Sequence, residues 1–275
     1  MAKKHFYIII SVVAISCIVL ITYATAARSP VSDTIPDIST GNLRKTVFAL
    51  VSSAENSTTD YTEGYSYIED IDDGRGYTAG IIGFTSGTGD LLMVIEKYVE
   101  LKPENNILKE YIPALKTVNG TDSHEGLGDP FVEAWENACN DKEMIQAQDY
   151  LLDEMYMNPA VDFANADGLS VLGQYIYYDA MVVHGPGDDE DSFNGIRMAA
   201  QTKALPPSKG GEEDTYLEAF LAARTIIMQK EEAHSDLSRL NTQQSFLDDQ
   251  NYNLQLPLQW TMYGDPFYLT QDDLD

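Results

Sequence analysis

Two carboxylates stand out by type and surroundings. Glu55 closes a run of helical spacing, after Ser52-Ser53-Ala54 and before Asn56. Val51 and Ala54 are its apolar neighbours, and desolvating one side of a carboxyl raises its pKa, which suits a general acid. Asp73 follows in Glu69-Asp70-Ile71-Asp72-Asp73-Gly74-Arg75-Gly76-Tyr77-Thr78. Gly74 and Gly76 let the backbone turn sharply and leave room for a ligand. A carboxylate in this polar loop, beside Arg75, stays ionised and is equipped to act as a base. An acid and a base with opposed environments are the equipment of glycoside hydrolysis. The plainer reading is a helix-end carboxylate and a turn. A calcium loop fails on register, because with Gly74 at its sixth position the third falls on Ile71, which has no ligand atom.

Other polar groups lie near these two. Asp90 reads either as a first-turn carboxylate favoured by the helix dipole or as a partner for a cation. Glu69 and Asp70 read as cation partners or as a solvated strand edge, and Tyr67 and Tyr77 as stacking rings or as core. Asp179 and Arg224 fall on helices with apolar faces, where a buried charge needs a partner. His124, His184 and His234 show no ligand spacing and are expected to be structural, and Cys139 reads as a buried thiol. No zinc signature, phosphate loop, dinucleotide fingerprint or nucleophile elbow occurs, so no metal and no cofactor is expected.

The elements that must hold these groups are mostly helical. Leu43, Val47, Leu50, Val51 and Ala54 keep a 3.6-residue period and predict a helix ending near Glu55. Leu91 to Val99 and Ile107 to Leu115 predict two more, and residues 129–140, 142–157 and 166–184 continue the series. A long helix is predicted from about Glu212 to His234, after a Pro- and Gly-rich breaker over 205–211 that reads as an interlobe turn. Residues 61–90 differ. Tyr65, Tyr67 and Ile71 alternate with polar residues, and Tyr77 to Phe84 is rich in glycine, which predicts a small antiparallel sheet. The expected fold class is mainly α and lysozyme-like: two helical lobes around a cleft, with a small antiparallel β-sheet in one lobe.

Lys3, Lys4 and His5 precede an almost wholly apolar run from Phe6 to Ile21, followed by Ala24-Thr25-Ala26. This is the pattern of a secretory signal peptide over 1–26. It predicts a secreted protein without stable membrane association, or an anchored one if the segment is retained. Residues 27–39 read as a linker and 40–275 as the folded domain. Removal of the signal takes Cys17 away, so Cys139 has no disulfide partner. The 275 residues carry 44 Asp+Glu against 17 Lys+Arg, a formal net charge of −27. Phosphate is repelled by such a surface, which excludes a nucleic-acid partner. At 44% hydrophobic residues the chain folds. Its acidity therefore lies on a folded surface, as general solvation, as adaptation to salt, or as a match to a cationic partner. Nothing in the sequence points to oligomerisation, and a monomer is expected.

Several motifs in order are similar to one family. Ser52-Ser53-Ala54-Glu55-Asn56, Tyr67-Ile68-Glu69-Asp70-Ile71, Asp73-Gly74-Arg75-Gly76-Tyr77-Thr78 and Ser86-Gly87-Thr88-Gly89-Asp90 resemble glycoside hydrolase family 46, the chitosanases. So do Tyr177-Tyr178-Asp179-Ala180, His184-Gly185-Pro186-Gly187 and Tyr263-Gly264-Asp265-Pro266, and the likeness spans about residues 40 to 268. The resemblance implies two helical lobes joined by a long bent helix. It implies Glu55 as general acid, Asp73 as general base, and inversion at the anomeric carbon. Thr78 then helps position the attacking water, and Asp179, Arg224 and Arg239 form a charge network supporting the acid. The implied substrate is chitosan and its oligosaccharides, with Asp90, Glu69, Asp70, Arg75 and Tyr67 as binding residues. One departure is Ser235, where some relatives have an acidic residue after the histidine matched by His234. Two other readings stand beside this one: a non-catalytic acidic protein that binds polycations, and a lysozyme-like hydrolase of N-acetylated glycans.

Overall fold

A computed structural model describes residues 36–230 and 236–274. The expected signal peptide, the linker up to residue 35, and the His234-Ser235 pair lie outside the described residues. The described chain forms two compact units. One comprises residues 36–57 and 158–274, the other Thr58–Met157.

The first unit is built around a helix that is apolar on every side, as a fully enclosed helix must be. This is α7, Val171–His184, in which every residue but Val182 is buried. Ser170 caps its first turn through Gly173 N–H, and Gly185, at φ +72°, ends it. Around it lie α1 (Gly41–Asn56), α6 (Asn158–Asp167), α8 (Phe193–Gln201), α9 (Glu213–Met228) and α10 (Ser238–Asp248). The hairpin of β4 (Leu258–Met262) and β5 (Asp265–Leu269) completes the unit. The periodicity of α1 is borne out: Val47, Leu50 and Ala54 are buried and its last residue is Asn56. Tyr177, Phe193 and Phe220 pack ring against ring in this core.

Four expectations change here. The helix predicted over 166–184 starts only at Val171, because Gly168 at φ +78° ends the preceding one. The helix predicted over 212–234 stops at Met228, with Gln229 as its cap, as far as the described residues reach. The breaker over 205–211 is not interlobe, since it lies wholly inside the first unit. The expected linker is already fold by Pro36: Ile38 is fully buried, Gln174 Oε1 accepts from its N–H at 3.1 Å, and Gln174 Nε2 donates to the Pro36 carbonyl at 3.2 Å.

The second unit carries the predicted small sheet. Its strands β1 (Ile68–Asp70), β2 (Tyr77–Ala79) and β3 (Phe84–Thr85) are antiparallel in the order β1-β2-β3. Helices α2 (Asp90–Leu101), α3 (Ile112–Val118), α4 (Asp129–Ala138) and α5 (Lys142–Leu152) cover it, around a core that includes Phe84, Ile95, Tyr98, Phe131, Trp135 and Met144. Within the 61–90 segment expected to hold the sheet, residues 61–66 wind instead into a 3-10 helix that buries Tyr65 and caps on Asp60. Tyr65 Oη donates to Asp149 at 2.6 Å. The helix expected from Ile107 begins as a 3-10 turn at Lys109, with Pro113 sitting in the first turn of α3. The run expected over 142–157 is helical but not uniform: its last five residues, Asp153–Met157, form a π-helix that continues directly into α6. Cys139 is half-buried, and its thiol donates to the Tyr65 carbonyl at 3.1 Å. Burial pushes its pKa up to about 12, so it is an inert thiol.

Candidate active site

Glu55 sits in the last turn of α1, with 17% of its side chain exposed. The sequence predicts an apolar neighbourhood, but its carboxylate meets a cation. Arg239, on α10, places Nη1 at 2.6 Å from Glu55 Oε1. The same guanidinium donates through Nε to Asp179 Oδ1 at 2.7 Å. Arg224 Nη1 and Gln243 Nε2 each donate to Asp179 Oδ2 at 2.7 Å. Arg224 Nε also donates to His184 Nε2 at 3.1 Å. The structure thus joins four helices, α1, α7, α9 and α10, in one chain of alternating charge: Arg224, Asp179, Arg239, Glu55. Apolar periodicity hides these contacts, because each charge occupies a position on an otherwise apolar face.

The burial of this chain is extreme, and its electrostatics decide its state. Asp179 and Arg224 have no exposed side-chain surface. Burial alone would raise the Asp179 pKa, but Arg239 and Arg224 outweigh it and lower it to about 2. Burial likewise opposes the charge of Arg239, and Asp179 and Glu55 overcome it to leave a net upward shift. Both groups stay ionised through the working range. Arg239 Nη2 and Ser52 Oγ are buried without a hydrogen-bond partner in the described structure.

Asp73 lies in the second unit, in the turn between β1 and β2. Asp73 Oδ1 accepts from Arg75 N–H at 3.0 Å, and Oδ2 accepts from Arg75 Nε at 2.8 Å and from Nη2. One arginine therefore fixes both carboxylate oxygens, with 8% of the Asp73 side chain left exposed. The turn demands its glycines. A Cβ on Gly76, at φ +72°, would stand 2.4 Å from Ser86 Oγ, which accepts from Tyr77 N–H at 3.0 Å. Gly87 N–H ties the turn down at the Arg75 carbonyl, at 2.8 Å. Thr78 follows on β2, opposite Glu69 and Thr85, fully buried and with its hydroxyl unpartnered by the described residues.

Removing the fork should cost activity. Arg75→Ala leaves Asp73 a single backbone donor; with Asp73 as the base that the resemblance implies, turnover should fall by about one to two powers of ten, with smaller effects on KM, on the scale of misplacing a reacting group. Steady-state kinetics on a soluble oligosaccharide checks this, and Arg75→Lys should recover little because an ammonium cannot fork.

The remaining predicted residues divide. Glu69 is exposed on β1 and accepts from Tyr67 Oη at 3.2 Å. Asp70 accepts from Asp72 N–H at 2.9 Å through Oδ1, and its Oδ2 lies 3.2 Å from His124 Nε2. Tyr77 stacks on His124 with ring centroids 4.2 Å apart. Asp90 opens α2, and its Oδ1 accepts from Thr85 N–H, Thr88 Oγ1 and Leu91 N–H at 2.7, 2.8 and 2.9 Å. These bonds fasten β3 to the helix start, the structural half of its sequence reading, and burial raises its pKa. Tyr156, in the π-helix, escapes sequence reasoning. Burial pushes its phenol up to about 12, with Asp90 adding to the shift and Arg75 opposing it. Its irregular helix leaves no mark on the hydrophobic period. Among the described residues no group of three or more His, Cys, Asp or Glu side chains is placed to hold a metal ion, and no helix is long and apolar enough to cross a membrane.

Comparison with known proteins gives the following. The sequence pattern of Glycosyl hydrolase family 46 matches residues 49–258. A chitosanase of Nocardioides sp. (strain N106) is 57% identical over 219 residues, covering 79% of this chain and 78% of that protein. A solved chitosanase complex superposes with a TM-score of 0.79 at 53% identity, over 85% of this chain and 99% of that one. A family 46 chitosanase of Gynuella sunshinyii, solved with chitotetraose, gives 0.74 at 32% identity, over 84% and 98%. The fold class is accordingly mainly α with a small antiparallel sheet, the lysozyme-like class.

Proposed function

Since the chain belongs to glycosyl hydrolase family 46 and is a glycoside hydrolase of the chitosanase kind, we propose that it cleaves β-1,4 linkages between glucosamine units inside chitosan chains, with inversion, using Glu55 as acid and Asp73 as base. The observation that carries this reading is that each carboxylate is held by its own guanidinium, Glu55 by Arg239 and Asp73 by Arg75. The two are thereby aimed without sharing a partner.

Glu55 takes up a proton, loosens from Arg239, and gives the proton to the glycosidic oxygen as the bond to the anomeric carbon breaks. Arg239 keeps Asp179 throughout, so its guanidinium is never left buried without a carboxylate. Arg224 and Arg239 against Asp179 leave one excess positive charge. That charge favours the carboxylate which proton donation creates, a stabilisation that grows as the transition state is reached. For inversion, Asp73 removes a proton from the attacking water, while Arg75 prevents the carboxylate from swinging away. The buried Thr78 hydroxyl, without a partner among the described residues, supplies a hydrogen-bonding group on the strand that follows the Asp73 turn. We assign Glu69, Asp70 and Tyr67 to the sugar-binding surface, and Asp90 to its support. The signal pattern over residues 1–26 supports action outside the cell.

Parallel assays on chitosan and on fully acetylated chitin test the reading. Reducing ends should appear from chitosan at a rate at least about tenfold above that from chitin, because neutral rings lose the ionic attraction. Chitosan binding should also weaken as salt rises toward 1 M, where charges are screened within about 3 Å. Equal rates on the two polymers, or salt-independent binding, would refute the assignment of substrate.

A further inference from the structure

The hairpin of β4 and β5 closes with the shortest loop available. Met262 pairs with Asp265, leaving Tyr263 and Gly264 as the two turn residues at φ +52° and +88°. Both are left-handed, as in the two-residue turn whose natural occupants are Asn-Gly or Asp-Gly. Gly264 fits. A tyrosine at a positive φ is an outlier, because its Cβ crowds the backbone. Such strain persists where another contact holds it, and it clusters at working sites. Burial of the ring does not explain it, since Tyr263 is 38% exposed.

What the tyrosine gains is a hydrogen bond to the turn that carries Glu55. Its Oη donates to the Ala54 carbonyl at 3.0 Å. The last four carbonyls of a helix have no partner in the helix itself, and α1 ends at Asn56, so Ala54 is one of them. The same hairpin makes a second attachment one residue earlier: Trp260 Nε1 donates to Ser53 Oγ at 2.9 Å, and Ser53 Oγ donates to the Leu50 carbonyl at 2.7 Å. A third bond runs to the helix that bears Arg239, from Thr242 Oγ1 to the Thr261 carbonyl at 3.2 Å. The hairpin is therefore a brace between the end of α1 and α10, the two elements whose separation sets the Glu55–Arg239 contact. Burial pushes the phenol pKa up, with Arg239 pulling against it, so the hydroxyl remains a donor wherever the enzyme works.

We propose that Tyr263 is a positioning residue for the acid: its strained place at the hairpin tip is kept because its hydroxyl caps the Ala54 carbonyl and fixes the turn that presents Glu55. This rests on Glu55 being the acid of a chitosan hydrolase. Two variants separate positioning from stability. Tyr263→Phe keeps the ring and loses the donor. Tyr263→Asn loses both but suits the left-handed turn. Both should lower kcat on chitosan oligosaccharides by about ten- to a hundredfold with KM within about twofold, since a misplaced acid harms the transition state more than ground-state binding. Tyr263→Asn should melt at or above the wild-type temperature. A wild-type kcat in Tyr263→Phe overturns the proposal. So does a raised KM at unchanged kcat, which would make the ring a binding platform, or a loss of activity that tracks a fall in melting temperature in both variants. A wild-type protein that releases no reducing ends from chitosan would overturn the function itself, a result plainly distinct from active variants.

Discussion

Replacing Glu55 by Gln should abolish hydrolysis of chitosan, lowering the rate by at least about 10²–10⁴, the usual worth of a positioned general acid. The protein should remain folded. Gln matches Glu in size, and its amide oxygen still accepts from Arg239 Nη1, so the guanidinium keeps two partners, the amide and Asp179. What is lost is a proton that the amide cannot release. Far-UV circular dichroism and melting temperature report the first part, and release of reducing ends reports the second. A variant with a near-normal rate would remove Glu55 from the chemistry. Unfolding would instead show that the carboxylate is structural, an outcome that the persistence of the Arg239–Asp179 bond argues against.

The second large effect is on stability. Asp179→Ala strips Arg224 and Arg239 of their shared carboxylate, and both guanidinia are almost entirely buried. Breaking a buried pair from one side costs about 3–5 kcal/mol, because an uncompensated charge remains. That is a large fraction of the roughly 5–15 kcal/mol that holds a typical domain. At about 2–4 °C per kcal/mol for a chain of this size, the melting temperature should fall by about 6–20 °C. The same group predicts a pH dependence. Its folded pKa, about 2, lies below the unfolded value of 3.8. The stability it contributes is therefore complete above about pH 4 and disappears as pH falls toward 2. Wild-type melting temperature should drop across that window. In Asp179→Asn the part of the drop due to this group should vanish, leaving a lower and flatter curve. Melts from pH 2 to 6 decide this, and parallel curves for the two proteins would contradict it.

The parts of this molecule legible in the sequence are those specified locally. The α1 seam of Val47, Leu50 and Ala54 places Glu55 at a helix end, and Gly74 and Gly76 announce the turn around Asp73. Pairings between distant residues are not local. Glu55 reads as a carboxyl against Val51 and Ala54, yet its nearest partner is Arg239, far along the chain on a helix with a weak apolar pattern. The Leu258–Met262 strand does alternate, with Leu258, Trp260 and Met262 buried, but Tyr263 occupies a turn position where Asn or Asp would have signalled a hairpin. The π-helix over Asp153–Met157 was equally hidden, because one extra residue per turn does not interrupt an apolar run.

The route of the chain has a consequence for synthesis. The second unit is one uninterrupted stretch, Thr58–Met157, whereas the first needs residues 36–57 together with everything after Asn158. On the ribosome, chain emerges from the N-terminus and each unit folds when its residues are all available. Thr58–Met157 can therefore close around its own core while α1 is still waiting for α7, α9, α10 and the hairpin. Arg239 and Tyr263 are made long after Glu55, and until they arrive Glu55 has neither its counter-charge nor its brace. The proposed acid is thus held in place only once the chain has been made as far as Tyr263.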